Sequence, residues 1–174
     1  MKYKCDYNTF VIKDTFDNAR EQWERERPDL DSSGAEVLWR ISFLHKYLRK
    51  LAGKKLVEFD LPIWAFDVLA ALRRAGAPYR LTPTALCEAT LLTSGAMTNR
   101  LDRMEHSGLV ERLQDPGDRR GVLIQLTEKG KELADEATEA RFEQANEAVA
   151  SLSPQERRQL AELLRKLVID HTTG

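Results

Sequence analysis

Residues 93–112 read TSGAMTNRLDRMEHSGLVER, and their polar members are of the types that read nucleic acid. At roughly 100° per residue on a helix, Met97, Leu101 and Met104 form one narrow apolar stripe. Gly95, Asn99, Asp102 and His106 fall on the opposite side, with Arg103 beside them. Ser94 and Thr98 can donate to phosphate oxygens. Asn99 suits an adenine edge, and Arg103 a guanine or a phosphate. The same pattern also fits an ordinary solvated helix face. A second cluster follows in DPGDRRG, which puts Arg119 and Arg120 at a protruding turn just after Asp118. An arginine there can enter a narrow minor groove, where the negative potential is strongest. Asp118 can hold its guanidinium in a fixed fork. A charged solvated turn is the alternative, but the two clusters together are more specific than either.

The elements that must carry these residues follow from periodicity. A short, very polar helix is predicted over 14–27, ended by RPDLDSSG, because Pro28 pushes Arg27 out of helical geometry. Val37, Ile41, Leu44, Leu48 and Leu51 make one helical stripe, with Gly53 as the stop. Pro62 starts a third helix, closed by RRAGAP. A short helix over Pro83–Thr90, a tight turn, and a helix over 94–107 with Thr93 as N-cap come next. LVERL and VLIQL are β-prone runs flanking QDPGDRRG, a hairpin. TEKG starts a helix to about Ser151, and Ser153-Pro154-Gln155-Glu156 is a capping-box-like start for the last one. The fold class is mainly α with a small β-hairpin (α+β). A helix, tight turn, helix and hairpin in that order describe a winged helix-turn-helix.

Composition bounds the rest. The 174 residues are 42% hydrophobic and 32% charged, which fits a soluble globular chain with much helix. A net charge of -1 rules out a uniformly basic coat but not local basic patches. No membrane span or signal core is visible, so the expected compartment is cytoplasmic. Cys5 and Cys87 are expected to be free thiols. No phosphate loop, nucleophile elbow or acidic pair marks an enzyme, and no cofactor is expected. His45 and His106 have no partners at metal-ligand spacing, so no metal is expected either.

LTSGAMTNRLDRMEHSGLVERLQDPGDRRGVLIQLTEKG resembles the MarR family of bacterial transcriptional regulators, over roughly residues 35–170. The resemblance implies a homodimer with interdigitated N- and C-terminal helices. It also implies a double-stranded, pseudo-palindromic operator, with half-sites about 10 bp apart. It carries the recognition-helix role to Ser94, Thr98, Asn99 and Arg103, and the wing role to Asp118 and Arg120. Arg119 is read as a phosphate contact. The expected organisation is an extension helix and linker (1–34), a dimerisation helix (35–61), the winged domain (62–127) and C-terminal dimerisation helices (128–174).

REQWERERPDLD, FDVLAALRRAG, YRLTP and LLTSGAMTNR are similar to the urate-responsive branch of that family. The branch's ligand residues fall on Trp23, Asp67, Arg100 and Arg112. This likeness implies a repressor released by urate or a related purine. The chemistry is compatible: an indole stacks on a planar purine, two guanidiniums suit an anionic, carbonyl-rich edge, and a carboxylate accepts from ring N–H groups. Arg100 lies roughly 70° off the apolar stripe, where it can face an inner pocket. Trp23 can equally pin its helix to the core, and Asp67 and Arg100 can be a plain ion pair. Two other sensors stay open: an aromatic-acid pocket lined by Trp39, Trp64 and Phe66, and oxidation of a cysteine. Cys5 shows no feature that lowers its pKa, and Cys87 is expected to be buried among Ala85, Leu86 and Ala89.

Overall fold

The computed structural model describes residues 13–90 and 93–172, and of Arg119 and Arg120 the backbone only. The chain divides into two compact units at Arg49/Lys50, inside its second helix.

The first unit holds α1 (Thr15–Glu26) and most of α2 (Ser33–Leu56). Asp14 caps α1, accepting from the Phe16 and Asp17 amides, while the Asp17 carboxylate accepts from the Asp14 amide. That is a capping box built from two aspartates. Arg40 of α2 donates to Asp14 and Asp17 of α1 and to Glu36 of its own helix. The Phe16 and Phe43 rings meet edge-on, with centroids 5.8 Å apart. Phe16 and Arg40, with the Arg20–Glu36 ion pair at 3.9 Å, hold α1 to α2.

The second unit begins within α2, which does not stop at Gly53. It runs on to Leu56, followed by a single 3-10 turn (Val57–Phe59). Ala52 and Leu56 are buried, and burying a leucine side chain outweighs the ~1 kcal/mol that a helical glycine costs. The chain turns at Asp60, in the left-handed region at φ 52°, which aspartate tolerates better than most residues. α3 (Ile63–Arg74), α4 (Pro83–Thr90) and α5 (Ser94–His106) follow, close to expectation.

The sheet has three strands rather than the two of a plain hairpin. β1 (Arg80–Leu81) pairs antiparallel with β3 (Asp118–Leu126), which pairs in turn with β2 (Val110–Asp115). The order is β1-β3-β2. A two-residue strand has no period to read, so only its partner defines it. The β2–β3 register slips at Gln114/Asp115. Next to this slip, a methyl group on Gly121 would come within 2.9 Å of the Asp115 Cβ. Glycine there lets the wing bend.

α6 (Glu128–Ala148) is capped by Thr127, whose hydroxyl accepts from the Gly130 amide. A side chain on Gly130 would collide with the Leu109 carbonyl oxygen at 1.9 Å. Ala134, Ala137 and Ala140 form the buried face of α6, and their small size lets α3 pack close. α7 (Pro154–Thr172) opens with the expected capping box, in which Ser153 and Glu156 exchange backbone-to-side-chain bonds. The core gathers Val68, Leu69 and Leu72 of α3, Leu86 of α4, Met97, Leu101 and Met104 of α5, and Ile124 of β3. The predicted α5 stripe is thus the anchor of the recognition segment. Among the described residues, no helix is long and apolar enough to cross a membrane.

Candidate functional site

α5 starts at Thr93, whose extended backbone marks an N-cap although its side chain makes no capping bond. Ser94, Gly95, Thr98 and Asn99 are exposed on the first turns. This end of the helix carries the positive end of the dipole and unpaired N–H groups, which favour an anion. Thr98 Oγ1 donates back to the Ser94 carbonyl at 3.2 Å. Its oxygen then keeps lone pairs to accept with. At the wing, Asp118 is exposed at the start of β3. The Arg119 and Arg120 backbones continue that strand, and their side chains lie outside the described residues.

The two arginines of α5 were expected to part, Arg100 facing inward and Arg103 facing DNA. Instead both converge on Trp64 of α3. The Arg100 and Arg103 guanidinium carbons lie 5.4 and 5.1 Å from the ring centroid. Arg100 and Arg103 are one turn apart and share a face, so one indole can hold both by cation–π attraction. Arg103 and Trp64 also line a cavity of about 270 Å³ with Asp60, Met104 and Ser107. Arg100 is half-buried, and its Nη1 is a buried donor with no hydrogen-bond partner. A buried, unsatisfied guanidinium donor is costly, and in a native site it calls for an explanation.

Arg112 of β2 reaches back to α5. It donates to Asp102 Oδ1 at 2.5 Å and also to Glu105. Burial pulls its pKa down, but the hydrogen bonds and charges of Asp102 and Glu105 outweigh that and hold it above the ordinary arginine value. Asp102 is thereby turned toward the strand, not outward with Asn99 as the helical projection implied. The projection gives a direction for Cβ but not for a side chain drawn aside by a charge. Asp102 and Glu105 are three residues apart, and that spacing was the available signal for a carboxylate pair able to hold an arginine.

Asp67 lines a separate cavity of about 250 Å³ between α3 and the end of α4. Trp64, on which Arg100 lies, and Asp67 are three residues apart on α3. Trp64 and Phe66 line different cavities, because two residues on a helix point roughly 200° apart. In the first unit, Trp23 is 51% exposed. Cys87 is half-buried beside the core. Cys5 lies outside the described residues. No cluster of three metal-binding side chains occurs among the described residues.

A buried apolar stripe beneath an exposed polar helix face, a preceding short helix and a bent two-stranded wing define a winged helix-turn-helix protein. The MarR family model matches residues 59–121, from the turn after α2 to the wing. The HTH-type transcriptional regulator PecS of Dickeya dadantii is 35% identical over 147 residues, covering 84% of this chain and 89% of that protein. The chain belongs to the MarR family of transcriptional regulators. It is a regulator and not an enzyme. Among solved structures, a mutant of the E. coli regulator MarR complexed with operator DNA matches at TM-score 0.67 and 27% identity, covering 83% of this chain and 96% of that one. AbsC, a MarR family regulator from Streptomyces coelicolor, matches at TM-score 0.74 and 22% identity, over 83% and 99%, and so attests the shared fold.

Proposed function

We propose that this chain binds a pseudo-palindromic operator as a homodimer, represses from it, and is released by urate or a related purine. Ser94, Thr98, Asn99 and Arg103 of α5 contact bases and phosphates, while Asp118, Arg119 and Arg120 serve at the wing. Trp23, Asp67, Arg100 and Arg112 take the effector. The observation that carries the effector reading is the buried Arg100 Nη1, a charged donor held without an acceptor. An anionic, carbonyl-rich purine supplies that acceptor. Arg100 belongs to the recognition helix, so a ligand that draws it away from Trp64 also displaces the residues that read DNA. The ligand acts by favouring the geometry that no longer fits the operator. The relative PecS and the E. coli regulator solved on operator DNA support the DNA-binding part.

A gel-shift titration on the operator-bearing upstream DNA, read alongside tryptophan fluorescence, tests the reading. Urate is expected to quench fluorescence and release the DNA. Trp23→Phe and Asp67→Asn weaken that response with little change in DNA affinity, and Arg120→Ala does the reverse. If urate neither quenches nor releases, the effector assignment is wrong.

A further inference from the structure

Resting on the purine reading above, we infer that Arg74 is an effector-binding residue and that the cavity between α3 and α4 seats the ligand. The cavity of about 250 Å³ is lined by Phe66, Asp67, Ala70, Arg74, Ala89 and Thr90. It lies below the volumes of about 300–1,000 Å³ that take drug-sized molecules, and one bicyclic purine suits it. Asp67, Ala70 and Arg74 stand at i, i+3 and i+7 on α3, a single helical face. A carboxylate and a guanidinium thus stand two turns apart, with an alanine between them as the floor. The Cα atoms at the two ends are separated by about 10 Å of helix rise, a span that a flat bicyclic ring bridges once the side chains reach inward.

The two ends differ in sign, and so must the ligand's. Asp67 accepts from ring N–H groups. Arg74 donates to a carbonyl or an anionic oxygen. Among the described residues, the hydrogen bond that Arg74 makes is a single one, from Nη2 to the Ala89 carbonyl at 3.2 Å. A guanidinium has five N–H donors, so most remain for a ligand. Thr90 donates its hydroxyl proton to the Leu86 carbonyl, which leaves its oxygen an acceptor facing the same space. Trp64, and with it Arg100, lies on the side of Asp67 away from Ala70, roughly 60° around α3. Ala89 and Thr90 end α4, three residues before the α5 cap, so a ligand wedged here acts on the helix-turn-helix itself.

Urate binding to the full-length protein, measured by calorimetry, and operator affinity without ligand, measured by gel shift, test this together. Arg74→Gln is expected to weaken urate binding about tenfold, the effect of losing a charged hydrogen bond, and to leave operator affinity unchanged. Arg74→Lys recovers part of that loss. Ala70→Leu fills the cavity and abolishes urate binding while the protein still binds DNA. Arg74→Gln should also narrow the preference for urate over xanthine, which is largely uncharged at neutral pH. A purely structural Arg74 would instead lower thermal stability and DNA affinity and leave that preference intact, and this result overturns the inference. So does wild-type urate affinity in both Arg74→Gln and Ala70→Leu while Asp67→Asn loses it, an outcome that leaves the effector reading standing. A wild-type protein that binds no urate overturns both.

Discussion

Arg112 is held by two carboxylates of the recognition helix, Asp102 and Glu105. To serve a ligand it must exchange one of them. Removing one carboxylate charge lowers the cost of that exchange. Glu105→Gln is therefore expected to reduce the urate concentration needed for half-release by about threefold, the scale of one partly exposed ion pair. A gel-shift titration reads it, and an unchanged or higher concentration means that Arg112 does not swap partners. The proposed effector residues were named by the likeness to the urate-responsive branch, and their types, an indole, a carboxylate and two arginines, are compatible with a purine anion. Their pairings were not legible in the sequence. Nothing in the spacing of Trp64 announced that two guanidiniums from another helix would settle on it. Long charged side chains go where a remote partner draws them, and a helical wheel does not contain the partner.

At the scale of the element, the tightest constraint is the approach of α6 to the wing. The Thr127 amide donates to the Leu109 carbonyl, its hydroxyl donates to the Gly108 carbonyl, and the first turn of α6 then lies directly over Leu109. Gly130→Ala forces backbone against a side chain here and is expected to cost about 3 kcal/mol, at the upper end of ordinary overpacking. Urea denaturation measures it, and a loss under about 0.5 kcal/mol, the scale of a surface substitution, would mean that α6 shifts freely. The helices themselves were readable from stripes and caps: the buried α5 stripe and the Ser153/Glu156 box stand where periodicity and capping chemistry put them. Gly53 misled because a weak local preference was set against the burial of Leu56, which the local sequence does not display. β1 was invisible because its two residues become a strand only by pairing with β3.

At the scale of the molecule, two helices carry apolar faces that a single chain leaves open. α7 has no buried residue, and Leu160, Leu163, Leu164, Leu167 and Val168 are exposed along it. On α2, Val37, Leu38, Phe43, Leu44 and Tyr47 are likewise exposed. Patches of this kind mark protein interfaces, and a second copy of the chain is the occupant that the proposed symmetric operator calls for. Leu163→Glu is expected to shift the protein to monomer by light scattering. It should weaken operator binding about a hundredfold, because two half-sites are then no longer engaged together. A dimer that persists in this variant would place the interface elsewhere. Hydrophobic periodicity along α7 records that a face is to be buried and not by what; only the family resemblance pointed to a second copy of the chain.

In the proposed switch, a purine that binds beside the recognition helix unseats that helix from DNA. Fluorescence anisotropy of a labelled operator fragment, held at one salt concentration because phosphate contacts make affinity salt-dependent, tests it most directly. Adding urate to the wild-type complex is predicted to return the anisotropy to that of free DNA. The Asp67→Asn complex should need about tenfold more urate or stay bound. Anisotropy that does not move with urate would mean that urate does not release the operator, and an identical fall for the wild type and Asp67→Asn would mean that Asp67 takes no part.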